Sequence, residues 1–159
     1  MLEPLIRLRN AIIEGNLPIT KRILHRYPDL WLNTDPENNG WCNLHYASFH
    51  GNYLVCFYLV TFYKEKILSA ETQSGTSDLD MLTFDGLSVL HLPSINFKHQ
   101  TLHYLLQEFP GQLWIRQKGG EHGQTPLHYS CVHGFTEGVK LLLEFGAEWL
   151  DQDLQGNTC

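Results

Sequence analysis

Nine histidines and four cysteines among 159 residues would be enough for a metal centre, and histidine beside serine or cysteine is the raw material of nucleophilic catalysis. Spacing argues against both. His99 and His103 stand four apart, as zinc-binding helix pairs do, but no glutamate separates them and no Cys-x-x-Cys is present. Cys42, Cys56, Cys131 and Cys159 share no ligand spacing and read as thiols of a reducing compartment. Ser94 and Ser130 fall in helical patterns, with no Gly-x-Ser-x-Gly elbow. Gly119-Gly120-Glu121-His122-Gly123 lacks the lysine and hydroxyl residue of a phosphate loop. The sequence therefore predicts no enzyme, no metal and no cofactor.

Composition narrows the class further. A chain 43% hydrophobic and 18% charged can bury one continuous core. Net charge is −6, which gives no support to nucleic acid as a partner. The longest apolar stretch, Tyr53 to Tyr63, is interrupted by polar groups and is well short of the roughly 20 residues of a membrane-spanning helix. The N-terminus has no apolar run with a small-residue cleavage site, so the chain reads as intracellular and free of an integral membrane segment.

The organising signal is a repeat. Gly123-Gln124-Thr125-Pro126-Leu127-His128 is followed by Gly134 and by the apolar run Val139 to Phe145, and the opening phrase returns at Gly156-Asn157-Thr158. Cys42-Asn43-Leu44-His45 and Ser88-Val89-Leu90-His91 align with Thr125-Pro126-Leu127-His128. This phrase resembles the ankyrin repeat, whose period is about 33 residues. The resemblance implies an all-α repeat solenoid of helix-turn-helix pairs with β-hairpin fingers, about four repeats plus the start of a fifth. The units are expected at about 5–33, 38–63, 84–117 and 121–153, with another starting at 154–159, in one domain over 1–159. The first has the charged face of a capping repeat. The unfinished fifth leads to the expectation that the chain is an N-terminal fragment of a longer array, or that something covers this end.

Irregularities are also legible. His45 and His91 are 46 positions apart rather than 33, which places an insertion at 64–83; its polar middle, Ser69 to Asp78, is expected to form a mobile surface loop, either a tolerated insertion or a contact or phosphorylation segment. In the third unit Pro93 stands where a small residue is expected and should shorten the first helix. Phe97 replaces the glycine between the helices and gives up its easy left-handed turn.

In the ankyrin family the tetrapeptide histidine opens the first helix and bonds the tetrapeptide hydroxyl and nearby backbone, so His45, His91 and His128 are implied to be structural. Arrays of this kind present fingers and first helices to a partner protein. One residue after the finger glycine come Trp41, Leu87 and Gln124; one after the histidine come Tyr46, Leu92 and Tyr129. Four and five after it come Phe49 with His50 and Val132 with His133. These ten form the candidate protein-binding groove, an aromatic line in which tryptophan and tyrosine are the usual energetic anchors. Asp35, Glu37, Asp85, Glu121 and Asp153 near the fingers form either a solvated rim or a contact for a basic partner.

Three further phrases, Arg7 to Leu17, Gly40 to Gly51 and Gln100 to Pro110, are similar to the N-terminal region of the small ankyrin-repeat subunits of fungal target-of-rapamycin complex 2. That likeness implies a non-catalytic adaptor, partnered by other subunits of the kinase complex, cytoplasmic and peripheral at the plasma membrane. A regulatory module that masks a partner would use the same groove.

Overall fold

The computed structural model describes residues 3–71, 82–109 and 114–159. Among them eight α-helices follow one another in antiparallel pairs: α1 (Pro4–Glu14) with α2 (Leu17–Arg26), α3 (Asn43–His50) with α4 (Tyr53–Glu71), α5 (His91–Ile95) with α6 (His99–Glu108), and α7 (Pro126–Val132) with α8 (Thr136–Glu144). The first helix of each pair packs on the first helix of the next, and the second helices stack behind them. Leu8, Ile12, Leu24, Leu90, Leu102, Leu105, Leu127 and Leu142 bury their side chains between the layers. This is the predicted helical solenoid, with its hydrophobic core continuous from unit to unit.

Each pair turns on a residue in the left-handed region. Gly15, Gly51 and Gly134 take φ of 73°, 69° and 71°, a conformation that costs glycine nothing. Phe97 occupies the same place in the third unit and adopts φ 59°. The chain keeps the turn geometry there: the Lys98 amide bonds the Pro93 carbonyl at 2.9 Å, as the Asn52 amide bonds Ala47. Phe97 therefore holds a conformation that disfavours a side chain, and its ring packs edge-on against Phe135, 5.4 Å between centroids. Pro93 has the effect foreseen for it. Without an amide to give the Val89 carbonyl, the first helix of this unit starts only at His91 and runs five residues, against eight in α3.

The inserted stretch departs from expectation. Helix α4 does not end near Phe62 but continues to Glu71, so about half of the insertion lengthens a helix. Thr72 to Asp78, the rest of the expected loop, lie outside the described residues.

The fingers are tight turns closed by single bridges, Asp35 with Trp41 and Gly119 with Gln124, rather than extended hairpins. Successive fingers are stitched by backbone bonds of 2.9 Å from the Phe84 amide to the Asn39 carbonyl, from Gly120 to Asp85, and from Leu154 to His122.

The tetrapeptide histidines join fingers to helices. In each, Nδ1 accepts the amide of the first tetrapeptide residue, Cys42, Ser88 or Thr125, at 3.0, 2.9 and 3.0 Å. With Nδ1 accepting, the neutral ring carries its hydrogen on Nε2, which faces the next finger: Leu87 O at 3.3 Å from His45, Gln124 O at 2.8 Å from His91, and Asn157 O at 3.1 Å from His128. Both nitrogens are thus used only when the ring is neutral.

Complete burial drives the His91 pKa down to about 4, with neighbouring His45 adding to the effect. Since the unfolded value is about 6.5, the unfolded chain takes up a proton between these limits that the folded chain refuses. The stabilisation is complete above pH 6.5 and is lost as pH falls toward 4. Urea unfolding should show a loss of about 2 kcal/mol from this residue between pH 7 and 5. His91→Gln should be less stable at pH 7 and lose less on acidification; an equal slope in both proteins would remove His91 from the account.

Candidate protein-binding groove

The fingers and the helices α3, α5 and α7 line one side of the array, and the ten predicted residues divide there by burial. Trp41, Phe49, His50, Gln124 and Tyr129 are half-buried, while Val132 and His133 are exposed. These seven can meet a partner. Leu92 is wholly buried, and Leu87 and Tyr46 are only 8% and 7% exposed, so these three support the groove from beneath. Leu87 is covered because the following finger lies on it. Tyr46 is covered because its hydroxyl turns to Asp35 and its ring lies under Trp41.

The accessible aromatics form two groups. In the first, Trp41 meets Tyr46 and Phe49 edge-on, each at 5.3 Å, and Phe49 meets His50 at 5.2 Å. Burial, with the Lys98 ammonium alongside, holds His50 below its ordinary pKa, so it presents a neutral ring. In the second, Tyr129 stacks on His133 at 6.3 Å, and Phe97 reaches the same histidine at 6.3 Å. Burial raises the Tyr129 pKa, and the Asp85 carboxylate adds to the rise. The Tyr129 hydroxyl lies above Gly120, where a Cβ would stand 2.2 Å away, so a larger residue would have to displace the tyrosine tip, and the φ of 77° itself favours glycine.

The structure adds residues that the offsets overlooked. Phe97, half-exposed, joins the second group because its left-handed turn swings it toward His133. Phe84 and Leu154 stand exposed at the fingers and lie over Gly40 and Gly123 of the preceding fingers. Beneath Trp41 lies a polar knot: the Tyr46 hydroxyl donates to Asp35 Oδ2 at 2.5 Å, Asn38 donates to that hydroxyl at 3.1 Å, and Arg9 sits 3.5 Å from the same carboxylate. The signal for it was present in Asp35 and Asn38, which stand five and two residues before the finger glycine Gly40.

Other chemistry finds no assembly. His99 and His103 lie on α6 with ring centroids 6.5 Å apart, and no group of three potential metal ligands comes together among the described residues. Nor, among these residues, is any helix long and apolar enough to cross a membrane. Of the cysteines read as thiols, Cys131 and Cys159 are brought together with Cα atoms 5.8 Å apart, a separation that a disulfide spans, while Cys42 and Cys56 are free and buried.

Stacked helix pairs, turn-like fingers and a lined groove define a repeat scaffold of the binding type. The family description "Ankyrin repeats (3 copies)" matches residues 65–153, and the chain belongs to the ankyrin-repeat family. It is 43% identical, over 157 residues and 98% of its length, to the target of rapamycin complex 2 subunit AVO2 of Saccharomyces cerevisiae, and spans 33% of that protein. It is also 34% identical over 86 residues, 53% of its length, to the palmitoyltransferase AKR1 of Lachancea kluyveri, of which it spans 11%. The chain thus covers a third or less of these relatives.

The knot under Trp41 can be tested directly. Tyr46→Phe removes the hydroxyl that serves the buried Asp35 carboxylate but keeps the ring contact, and should lower stability by about 1–3 kcal/mol in chemical denaturation. A loss under 0.5 kcal/mol would mean that Arg9 and the backbone satisfy Asp35 without Tyr46.

Proposed function

We propose that the chain is a non-catalytic scaffold that holds a protein partner along its groove, as a subunit of an assembly like target-of-rapamycin complex 2. The observation that carries this reading is the 43% identity to AVO2 over 98% of the chain. A match of that length takes in the fingers, the groove helices and the capping pair, not the repeat phrase alone. The likeness to the palmitoyltransferase spans only 11% of that protein, so transfer chemistry is not part of the proposal. Location follows the assembly: cytoplasmic, and peripheral at the plasma membrane through its partners.

The groove suits this role because its exposed rings are preorganised. Trp41, Phe49 and Tyr129 are each braced by another ring, so little side-chain entropy remains to be lost on binding. Anchors of this type commonly lose on the order of 2 kcal/mol or more when truncated.

Capture from Saccharomyces cerevisiae extract with the tagged chain, probed for the target-of-rapamycin kinase, tests both parts. The wild type should recover the kinase in a stable complex, and Trp41→Ala/Phe49→Ala/Tyr129→Ala should reduce recovery at least tenfold. Equal recovery by both proteins would move the interface away from the groove. Failure of either protein to recover the kinase, with both folded, would overturn the subunit assignment.

A further inference from the structure

The second helices α2, α4, α6 and α8 form the face opposite the groove, and their register can be read from the turn residue before each. Three positions after it stand Pro18, Leu54, Gln100 and Glu137; six after it stand Lys21, Phe57, His103 and Lys140. Only the second unit is apolar at both. Leu54 is 62% and Phe57 51% exposed, an apolar pair that none of the other three second helices presents at these positions. Tyr53 and Phe57 lean on Tyr104 of α6, at 5.2 and 6.0 Å, which makes an aromatic floor between α4 and α6.

The charge around this floor runs against the charge of the chain. The protein has net charge −6, yet α2 contributes exposed Lys21, Arg22 and His25 and no carboxylate. Lys21 leans over the ring of Tyr58, the residue next to Phe57 on α4, at 5.6 Å. Arg26 lies apart from this edge, lining a shallow cleft with Glu3 and Asp29. On α6 the flank is His99 and His103, and its only carboxylate, Glu108, is engaged by Lys64. The two helices that flank α4 therefore leave no unpaired carboxylate to oppose a negative partner.

We propose that this outer face is a second docking surface, whose occupant is an acidic amphipathic helical segment of a partner protein. Its apolar side would cover Leu54 and Phe57 over the Tyr53 and Tyr104 rings, and its carboxylates would meet Lys21 and Arg22, the helix-in-groove mode. A bilayer fits less well. Polybasic membrane sites gather four to eight Lys or Arg, whereas α2 offers only Lys21, Arg22 and Arg26.

The test is selection of a displayed library of random 16-residue peptides on the chain, with recovered peptides measured by fluorescence anisotropy. Four proteins are compared: wild type, Leu54→Ser/Phe57→Ser, Lys21→Glu/Arg22→Glu, and the groove variant Trp41→Ala/Tyr129→Ala. All four substituted outer positions are exposed, and circular dichroism melts verify folding. The expected pool is net acidic with apolar residues at helical spacing, loses at least tenfold in affinity on both outer-face variants, weakens with added salt, and is unaffected by the groove variant. A pool that is net basic, or that ignores both outer-face variants, would overturn the proposal. So would the absence of acidic binders together with co-sedimentation of the wild type on vesicles of 70% phosphatidylcholine and 30% phosphatidylserine, lost in the same variants, which would make the face a membrane surface.

Discussion

Each tetrapeptide histidine has one nitrogen on its own unit and the other on the next, and the stack depends on that division. A ring that accepts the cap amide at Nδ1 and donates from Nε2 to the following finger fixes the start of a helix and the position of a neighbour at once. The same bridge occurs at His45, His91 and His128, so the finger line is held at regular intervals along the array. No side chain that is only a donor could replace it, because the cap amide needs an acceptor and the finger carbonyl a donor. The local cap varies while the bridge persists: Thr125 and Ser88 place a hydroxyl near Nδ1, at 2.7 and 3.0 Å, whereas Cys42 offers a thiol, and the backbone bond from Cys42 still forms.

Regular spacing explains why the third unit tolerates its two departures. Pro93 removes the first turn of α5 and Phe97 gives up an unstrained reversal, each a cost of order 1 kcal/mol or more in isolation. Yet the unit is clamped on both sides: His45 bonds its finger, His91 bonds the next one, and the Asn96 side chain bonds the Phe49 carbonyl of the preceding helix at 2.7 Å. Leu90, Leu92, Leu102, Leu105 and Leu106 are fully buried around it. A unit with neighbours on both faces can carry local strain because its geometry is set by contacts it does not make alone.

How far the sequence could be read follows from the same physics. The tetrapeptide, the turn glycines and the capping helix pair were legible because each performs a local task that few residue types can perform. The end of α4 was not, since polarity suggested a loop, although Lys64 to Glu71 is rich in residues that favour helices. Groove offsets located Trp41, Phe49, His50, Tyr129, Val132 and His133 at accessible positions, but offsets give direction from a regular helix and cannot show what lies on top. Leu87 and Tyr46 were lost to the next finger and to Asp35, both long-range contacts. Phe97 was misjudged for the opposite reason: the turn it was expected to spoil is the one that delivers its ring to His133.

The two faces of the array differ in charge as well as shape, and this bears on how partners would be sorted. Exposed Glu37, Asp85 and Glu121 stand on successive fingers, with Lys118 as an exposed cation among them, while Lys21 and Arg22 lie behind on α2. A basic segment is steered toward the fingers and repelled from the outer helices; an acidic one experiences the reverse. Since the hydrophobic core and two layers of helix separate the surfaces, occupants of the groove and of the outer face would not collide. The four described helix pairs thus present two separate surfaces of opposite charge, which is the geometry that the two proposals together require.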